Sequence, residues 1–376
     1  MRGLPPSRRR HLRTWQPGEH PWLLEDASLT KRTKLLDLAS NDYFGLSRHP
    51  AVIQAAVSTL QNEGVGSGGS RLVTGSRPSH AALEDAIAQW LGRERVLLFP
   101  SGFQANIAAV AALADRHSVV LADRLIHHSL LVGVRASGAR LLRFSHNNLE
   151  DLEKRLKRHS NGSSTVVISE SLFSMEGTSP DIQGMAALCA HWGARLLVDE
   201  AHALGVMGSQ GRGLCFGVDE PIHLISGTFG KAFGSGGAFL ATNRHWGDQL
   251  LQTSGAFRYT TALAPPIVGA ALKALDLIRS HPEWGTELRL RAQQWRCALN
   301  KKGWPRPRGD GPVLPLLIGS DADALSVQQT LETSGLLTVA IRPPTVPEGS
   351  SRLRLVVRRD LPDDTLNTLL SALARG

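Results

Sequence analysis

The chain has 376 residues, 42% hydrophobic and 20% charged, a globular balance with room for two cored domains. Its three cysteines, Cys189, Cys215 and Cys297, form no CxxC pair, which argues against a disulfide framework or structural zinc and fits a reducing, cytoplasmic setting. The net charge of +9 suits an anionic partner or equally a solvated basic surface. No Lys/Arg block interleaves with aromatics, so nucleic acid is disfavoured, and no apolar run approaches the roughly 18 residues that span a membrane.

In chain order, the segment from Met1 to Trp15 is basic, with Arg2, Arg8, Arg9, Arg10 and Arg13. No apolar stretch follows, so it does not read as a secretory signal. Trp22–Lys34 is weakly patterned and receives no assignment. A helical pattern covers Ala51–Leu60. Seven strand candidates come next: Arg95–Phe99, Ser118–Asp123, Ala139–Phe144, Thr165–Glu170, Ala194–Glu200, His223–Phe229 and Gly237–Thr242. They are mostly continuous apolar runs, as expected of a sheet buried on both faces. Helical stretches at His80–Leu91, Phe103–Ala114, Asn148–His159 and Asp181–Trp192 alternate with them. That alternation predicts an α/β fold with a mostly parallel seven-stranded sheet.

Beyond about residue 255 the pattern changes. Pro265-Pro266 opens a helical run from Ile267 to Lys302, broken at Pro282. Strands at Val313–Ile318, Leu337–Ile341 and Arg352–Val357 and helices at Asp323–Ser334 and Asp363–Ala374 predict a smaller α+β domain. The expected division is an N-terminal arm at 1–45, a large domain at 46–260 and a small one at 261–376.

Three features converge on one rim of the predicted sheet. Asp199 ends an apolar strand, where open α/β sheets bind ligands. A carboxylate there is costly without a cationic partner, although an ordinary loop or capping Asp occurs as often. Lys231 follows another strand in a glycine-rich turn, and a desolvated lysine amine can condense with an aldehyde. Ser101-Gly102-Phe103 joins a strand to a helix whose free N–H groups favour a phosphate. His127 and Ser174 also follow strands. Singly, each could be a routine loop or surface residue. Together they offer an anion site, a carboxylate for a pyridinium nitrogen and an imine-forming lysine, the needs of pyridoxal 5′-phosphate.

Competing motifs fail on context. Asp199-Glu-Ala-His202 matches a helicase string, but no upstream GxxxxGK[ST] loop exists. Gly64-Val-Gly66-Ser-Gly-Gly69 matches GxGxxG but follows a helix instead of a strand. No GxSxG elbow or HExxH spacing occurs, so neither a serine-hydrolase elbow nor a metal site is expected.

Seven ordered blocks resemble the α-oxoamine synthases, fold-type I pyridoxal-phosphate enzymes. They are Ser40-Asn-Asp-Tyr-Phe-Gly-Leu, Gly66-Ser-Gly-Gly-Ser-Arg-Leu-Val-Thr-Gly75, Ser101-Gly-Phe, Asp123-Arg-Leu-Ile-His127, Ser171-Leu-Phe-Ser-Met-Glu-Gly177, Val198-Asp-Glu-Ala-His202 and Gly227-Thr-Phe-Gly-Lys231. The resemblance runs from about residue 38 to the end. Within the family, Ala340-Ile-Arg-Pro-Pro-Thr-Val-Pro-Glu-Gly349 with Arg352-Leu-Arg354 is similar to members that condense L-alanine with a pimeloyl thioester, on acyl carrier protein or coenzyme A, in biotin biosynthesis. Sister enzymes use glycine or serine with other acyl-CoAs.

The resemblance implies roles residue by residue. Lys231 holds the cofactor as a Schiff base, Asp199 pairs with its ring nitrogen, His202 meets the ring oxygen and His127 stacks on the ring. Gly102, Phe103, Ser174 and Thr228 belong to the cofactor and phosphate site. Arg354 matches the residue that binds the amino-acid carboxylate, and Thr345 lies in a substrate-contacting loop. Tyr259-Thr-Thr261 matches a stretch reaching the partner's phosphate, which implies a homodimer with shared active sites. From the N-terminal cluster, where the match is poor, Arg8 is the candidate substrate arginine.

Overall fold

The structure, a computed structural model, describes residues 5–25, 34–160 and 164–374. Part of the unassigned Trp22–Lys34 stretch, residues 26–33, lies outside the described residues, as do the first four, Arg2 included. The chain divides into two compact units. One holds 46–174 and 179–285; the other holds 1–45, 175–178 and 286–376.

The larger unit is built on seven strands in the order Arg95–Phe99, Ala238–Thr242, Leu224–Thr228, Arg195–Asp199, Thr165–Glu170, Val119–Asp123, Arg140–Phe144. Val166, Val167, Ile168, Leu196, Leu197 and Val198 are fully buried, so both faces of the sheet are covered and polar alternation is absent. Only the edge strand Arg140–Phe144 exposes charged side chains, a usual guard against further pairing.

Ala238–Thr242 runs antiparallel to both of its neighbours, while the other pairings are parallel. Its connection from Thr228 spans only 229–237, too short for a parallel crossover of about a dozen residues or more. Lys231 sits in that return. Because two reversals cancel, Arg95–Phe99 again points the same way as Arg195–Asp199. The carboxyl ends of five strands therefore share one rim: Asp199 closes one strand, and the turns after the others carry Ser101, His127, Ser174 and Lys231.

Side-chain caps fix several helix starts on this rim. Ser101 accepts from Gln104 N, and the His127 ring accepts from Ser129 N. Helix Pro265–Ser280, assigned by sequence to the C-terminal domain, instead belongs to this unit and packs along Pro50–Glu63. Gly269 permits the approach: a Cβ there would sit 2.0 Å from Thr59 Oγ1. The boundary accordingly falls at 285/286 and not at 260/261.

The smaller unit has two sheets. Val313–Gly319, Ser351–Val356 and Val339–Ile341 form an antiparallel one. Trp15–Pro17, Trp22–Glu25, Lys34–Asp37 and Leu336–Leu337 form the other. The run Leu337–Ile341, read as one strand, is thus divided between two sheets at Thr338. The N-terminal residues, read as a separate arm, supply strands of this unit. Asp37 and Arg358 make a buried ion pair at 2.6 Å, and Asp37 also accepts from Ala39 N and Ser40 N.

Candidate active site

Within the larger unit, the rim gathers residues from five turns. Asp199 is 6% exposed and is held from two sides. Its Oδ1 accepts from Ala201 N at 2.8 Å, and its Oδ2 accepts from the Asn106 amide at 2.7 Å. The carboxylate is thereby fixed in one orientation. His127 lies beside it, exposed as a residue although its ring is partly desolvated. Burial lowers its pKa, with Lys231 and His128 adding to the depression and the Asp199 charge opposing it. That mutual influence places His127, Asp199 and Lys231 within one electrostatic neighbourhood.

His202 is buried in the turn after Asp199, and Ser174 is half-buried after the Thr165–Glu170 strand. Thr228 Oγ1 donates to Gly237 O at 2.9 Å and accepts from Gly230 N at 3.2 Å, which ties both ends of the lysine turn together. Gly102 opens helix Gly102–Leu113, and a Cβ added to it would meet only Thr228, at 3.8 and 3.9 Å. The start of this helix is thus uncrowded at Gly102, and helix N-termini favour phosphate. Phe103, next along, is 44% exposed.

This arrangement fits pyridoxal 5′-phosphate. A helix start left uncrowded at Gly102 can take the phosphate. A pre-oriented buried carboxylate can face the ring nitrogen. An imidazole and a lysine amine share the same neighbourhood.

Three further candidates belong to the smaller unit. Arg354 is 7% exposed and donates to Asn41 Oδ1 at 2.7 Å. It also contacts Tyr43, whose hydroxyl is pushed up to about 12 by burial. Arg8 is engaged by Asp321 at 2.9 Å and by Glu348. Thr345 Oγ1 accepts instead from Arg10, at 3.4 Å. The N-terminal cluster thus reaches Thr345 through Arg10.

Sequence reasoning passed over Asn106 and Ser129. Asn106 interrupts an otherwise apolar helical run, Ala105–Leu113, and a buried amide needs partners. That interruption was the available signal. It also passed over Glu200, a fully buried carboxyl that accepts from Leu214 N at 2.6 Å and Cys215 N at 3.1 Å.

The model of the family described as aminotransferase class I and II matches residues 33–373. The chain is similar to 8-amino-7-oxononanoate synthase of Methylococcus capsulatus, with 40% identity over 342 residues, covering 90% of this chain and 88% of that one. Among solved structures, Sphingomonas wittichii serine palmitoyltransferase matches with TM-score 0.89 and 28% identity, covering 94% of this chain and 88% of that chain. The 8-amino-7-oxononanoate synthase of Francisella tularensis matches with TM-score 0.80 and 25% identity, covering 91% and 97%.

Proposed function

Since the chain belongs to the class I and II aminotransferase family, and within it to the pyridoxal-phosphate-dependent α-oxoamine synthases, we propose that it condenses L-alanine with a pimeloyl thioester to give 8-amino-7-oxononanoate. The coarser reaction is that of the family: decarboxylative condensation of an amino acid with an acyl thioester, catalysed by a C-acyltransferase. What supports the finer reading is the 40% identity to an 8-amino-7-oxononanoate synthase along nine-tenths of the chain; the solved serine palmitoyltransferase and 8-amino-7-oxononanoate synthase, at 28% and 25%, do not separate the two.

When bound, the cofactor supplies an electron sink for negative charge at the amino acid's Cα. The protein's residues do the rest. Lys231 removes and returns the Cα proton through its amine. Asp199, held by Asn106 and Ala201, keeps a proton on the ring nitrogen. His127 and His202 would help hold the ring of the cofactor. The N–H groups at Gly102 and Phe103 and the Ser174 hydroxyl would hold the phosphate, joined by Thr228 once its hydroxyl turns from Gly237 O. Arg354 is assigned the substrate carboxylate, and Thr345 and an N-terminal arginine the acyl end.

A homodimer with shared sites is part of this reading. Leu72, Val73 and Tyr259 are 51%, 77% and 80% exposed around a cavity that Ser70 and Thr261 also line, an apolar surface suited to a second copy. The proposed setting is the cytoplasm, supported by the three free cysteines. No helix among the described residues is long and apolar enough to cross a membrane.

A second reading, glycine or serine with another acyl-CoA, is favoured by the backbone. The serine palmitoyltransferase matches with TM-score 0.89, above the 0.80 of the Francisella enzyme. Turnover on L-alanine, glycine and L-serine, each with pimeloyl and long-chain thioesters, decides between them. Product from L-alanine and a pimeloyl donor alone is expected; preference for serine or glycine would establish the second reading.

A further inference from the structure

Asn106 is 3% exposed, and its amide nitrogen makes two contacts, 2.7 Å to Asp199 Oδ2 and 2.9 Å to Ser129 Oγ. An amide NH2 has two hydrogens, so each contact uses one. The amide oxygen has no hydrogen-bond partner among the described residues. Turned over, that oxygen would face the Asp199 carboxylate, acceptor against acceptor. The amide orientation is therefore fixed by charge.

Ser129 Oγ, having accepted from Asn106, still has one hydrogen to give. His127 Nδ1 lies 2.7 Å away. The Ser129 backbone N–H donates to the same Nδ1 at 3.3 Å, where the ring caps helix His128–Ser137. Two donors converge on one ring nitrogen. A hydrogen on Nδ1 would oppose both, so that nitrogen keeps its lone pair and the ring's proton belongs on Nε2.

We propose that Asn106 and Ser129 are positioning residues that lock His127 as the neutral Nε2–H tautomer while orienting the Asp199 carboxylate. The hydrogen-bond chain runs from Asp199 through the amide and the hydroxyl to the imidazole, so one buried side chain sets two groups of the site. The consequence for the reaction is that His127 offers an uncharged face and a single N–H, at Nε2. Burial, Lys231 and His128 keep the ring neutral in the same sense, and Asp199 alone pulls the other way. The lock follows from these side chains; its catalytic use rests on the proposed function.

The test is the 15N spectrum of histidine-labelled holoenzyme, with the His127 signals assigned by their loss in His127→Gln. The expected wild-type pattern at neutral pH is an unprotonated Nδ1 and a protonated Nε2. Ser129→Ala should shift the tautomer ratio or the His127 titration by roughly five- to tenfold, the effect of losing one hydrogen bond. Asn106→Ala, which leaves the Ser129 hydroxyl undirected, should shift it in the same sense. A wild-type Nδ1–H or imidazolium at neutral pH would overturn the lock. So would an unchanged signal in folded Ser129→Ala. The spectrum reads the tautomer and the amino-acid panel reads the reaction, so failure of one is distinct from failure of the other.

Discussion

Glu200 Oε1 lies 2.6 Å from the Leu214 backbone nitrogen, so the carboxyl next to Asp199 staples a later turn to the end of the central strand. Burial raises its pKa from the ordinary 4.5 to about 7, against the pull of the Leu214 and Cys215 N–H groups. A carboxyl raised in the folded state stabilises the fold fully below its unfolded value. That contribution is lost as pH rises through the folded one. Stability should therefore fall between about pH 4.5 and 7 by on the order of 3 kcal/mol from this group. Glu200→Gln keeps the acceptor for both N–H groups and has no proton to lose. Urea midpoints from pH 5 to 8 should fall more steeply in wild type than in the variant; parallel curves would show that Glu200 is already ionised at pH 5.

Lys231→Ala should abolish the yellow, borohydride-reducible chromophore of the purified enzyme. The residue lies in the short return between two antiparallel strands, with Gly234 N donating to its carbonyl at 2.8 Å. Removing the side chain leaves those backbone contacts in place, so the fold should persist. A reducible chromophore in a folded variant would take the lysine out of its assigned role.

Asp199→Asn should slow turnover by roughly 10² or more, the cost of losing one fixed electrostatic partner. Both carboxylate oxygens now accept, from Ala201 N and from Asn106. An amide offers only one acceptor, so its NH2 must face one of those donors. Melting temperature measured alongside kcat separates this local conflict from the electronic effect. Near-normal kcat would remove Asp199 from the ring-nitrogen position.

The strands of the main sheet were legible because burial on both faces writes them as apolar runs. Thr165–Glu170 and Arg95–Phe99 have the same ends in sequence and structure. The rim positions of His127, Asp199 and Lys231 were legible because each closes or follows such a run. Asn106 was not, since its partners lie 23 and 93 residues away and only the folded sheet brings them to it. The second small sheet was hidden for a related reason. Its strand Leu336–Leu337 has two residues, too few to show a period, and it pairs with Leu36–Asp37 from the other end of the chain.

Gly234 should tolerate no side chain, whereas Gly230, in the same turn, should. Gly234 has φ +60°, where an L-residue pays roughly 1–2 kcal/mol. A Cβ there would also sit 2.2 Å from Ser47 N and 2.5 Å from Leu46 C, both backbone atoms that cannot swing aside. Overpacking of this kind adds about 1–3 kcal/mol. At Gly230 a Cβ would meet nothing nearer than Thr228 Oγ1 at 3.6 Å. Gly234→Ala should therefore lose ~2–5 kcal/mol in urea unfolding and bind the cofactor less tightly, because the Lys231 carbonyl is anchored by Gly234 N. Gly230→Ala should unfold within about 0.5–1 kcal/mol of wild type, the cost of an ordinary exposed substitution. Equal stability of the two variants would mean that the turn yields at Leu46–Ser47, and the crowding read from the backbone would not be what requires a glycine at 234.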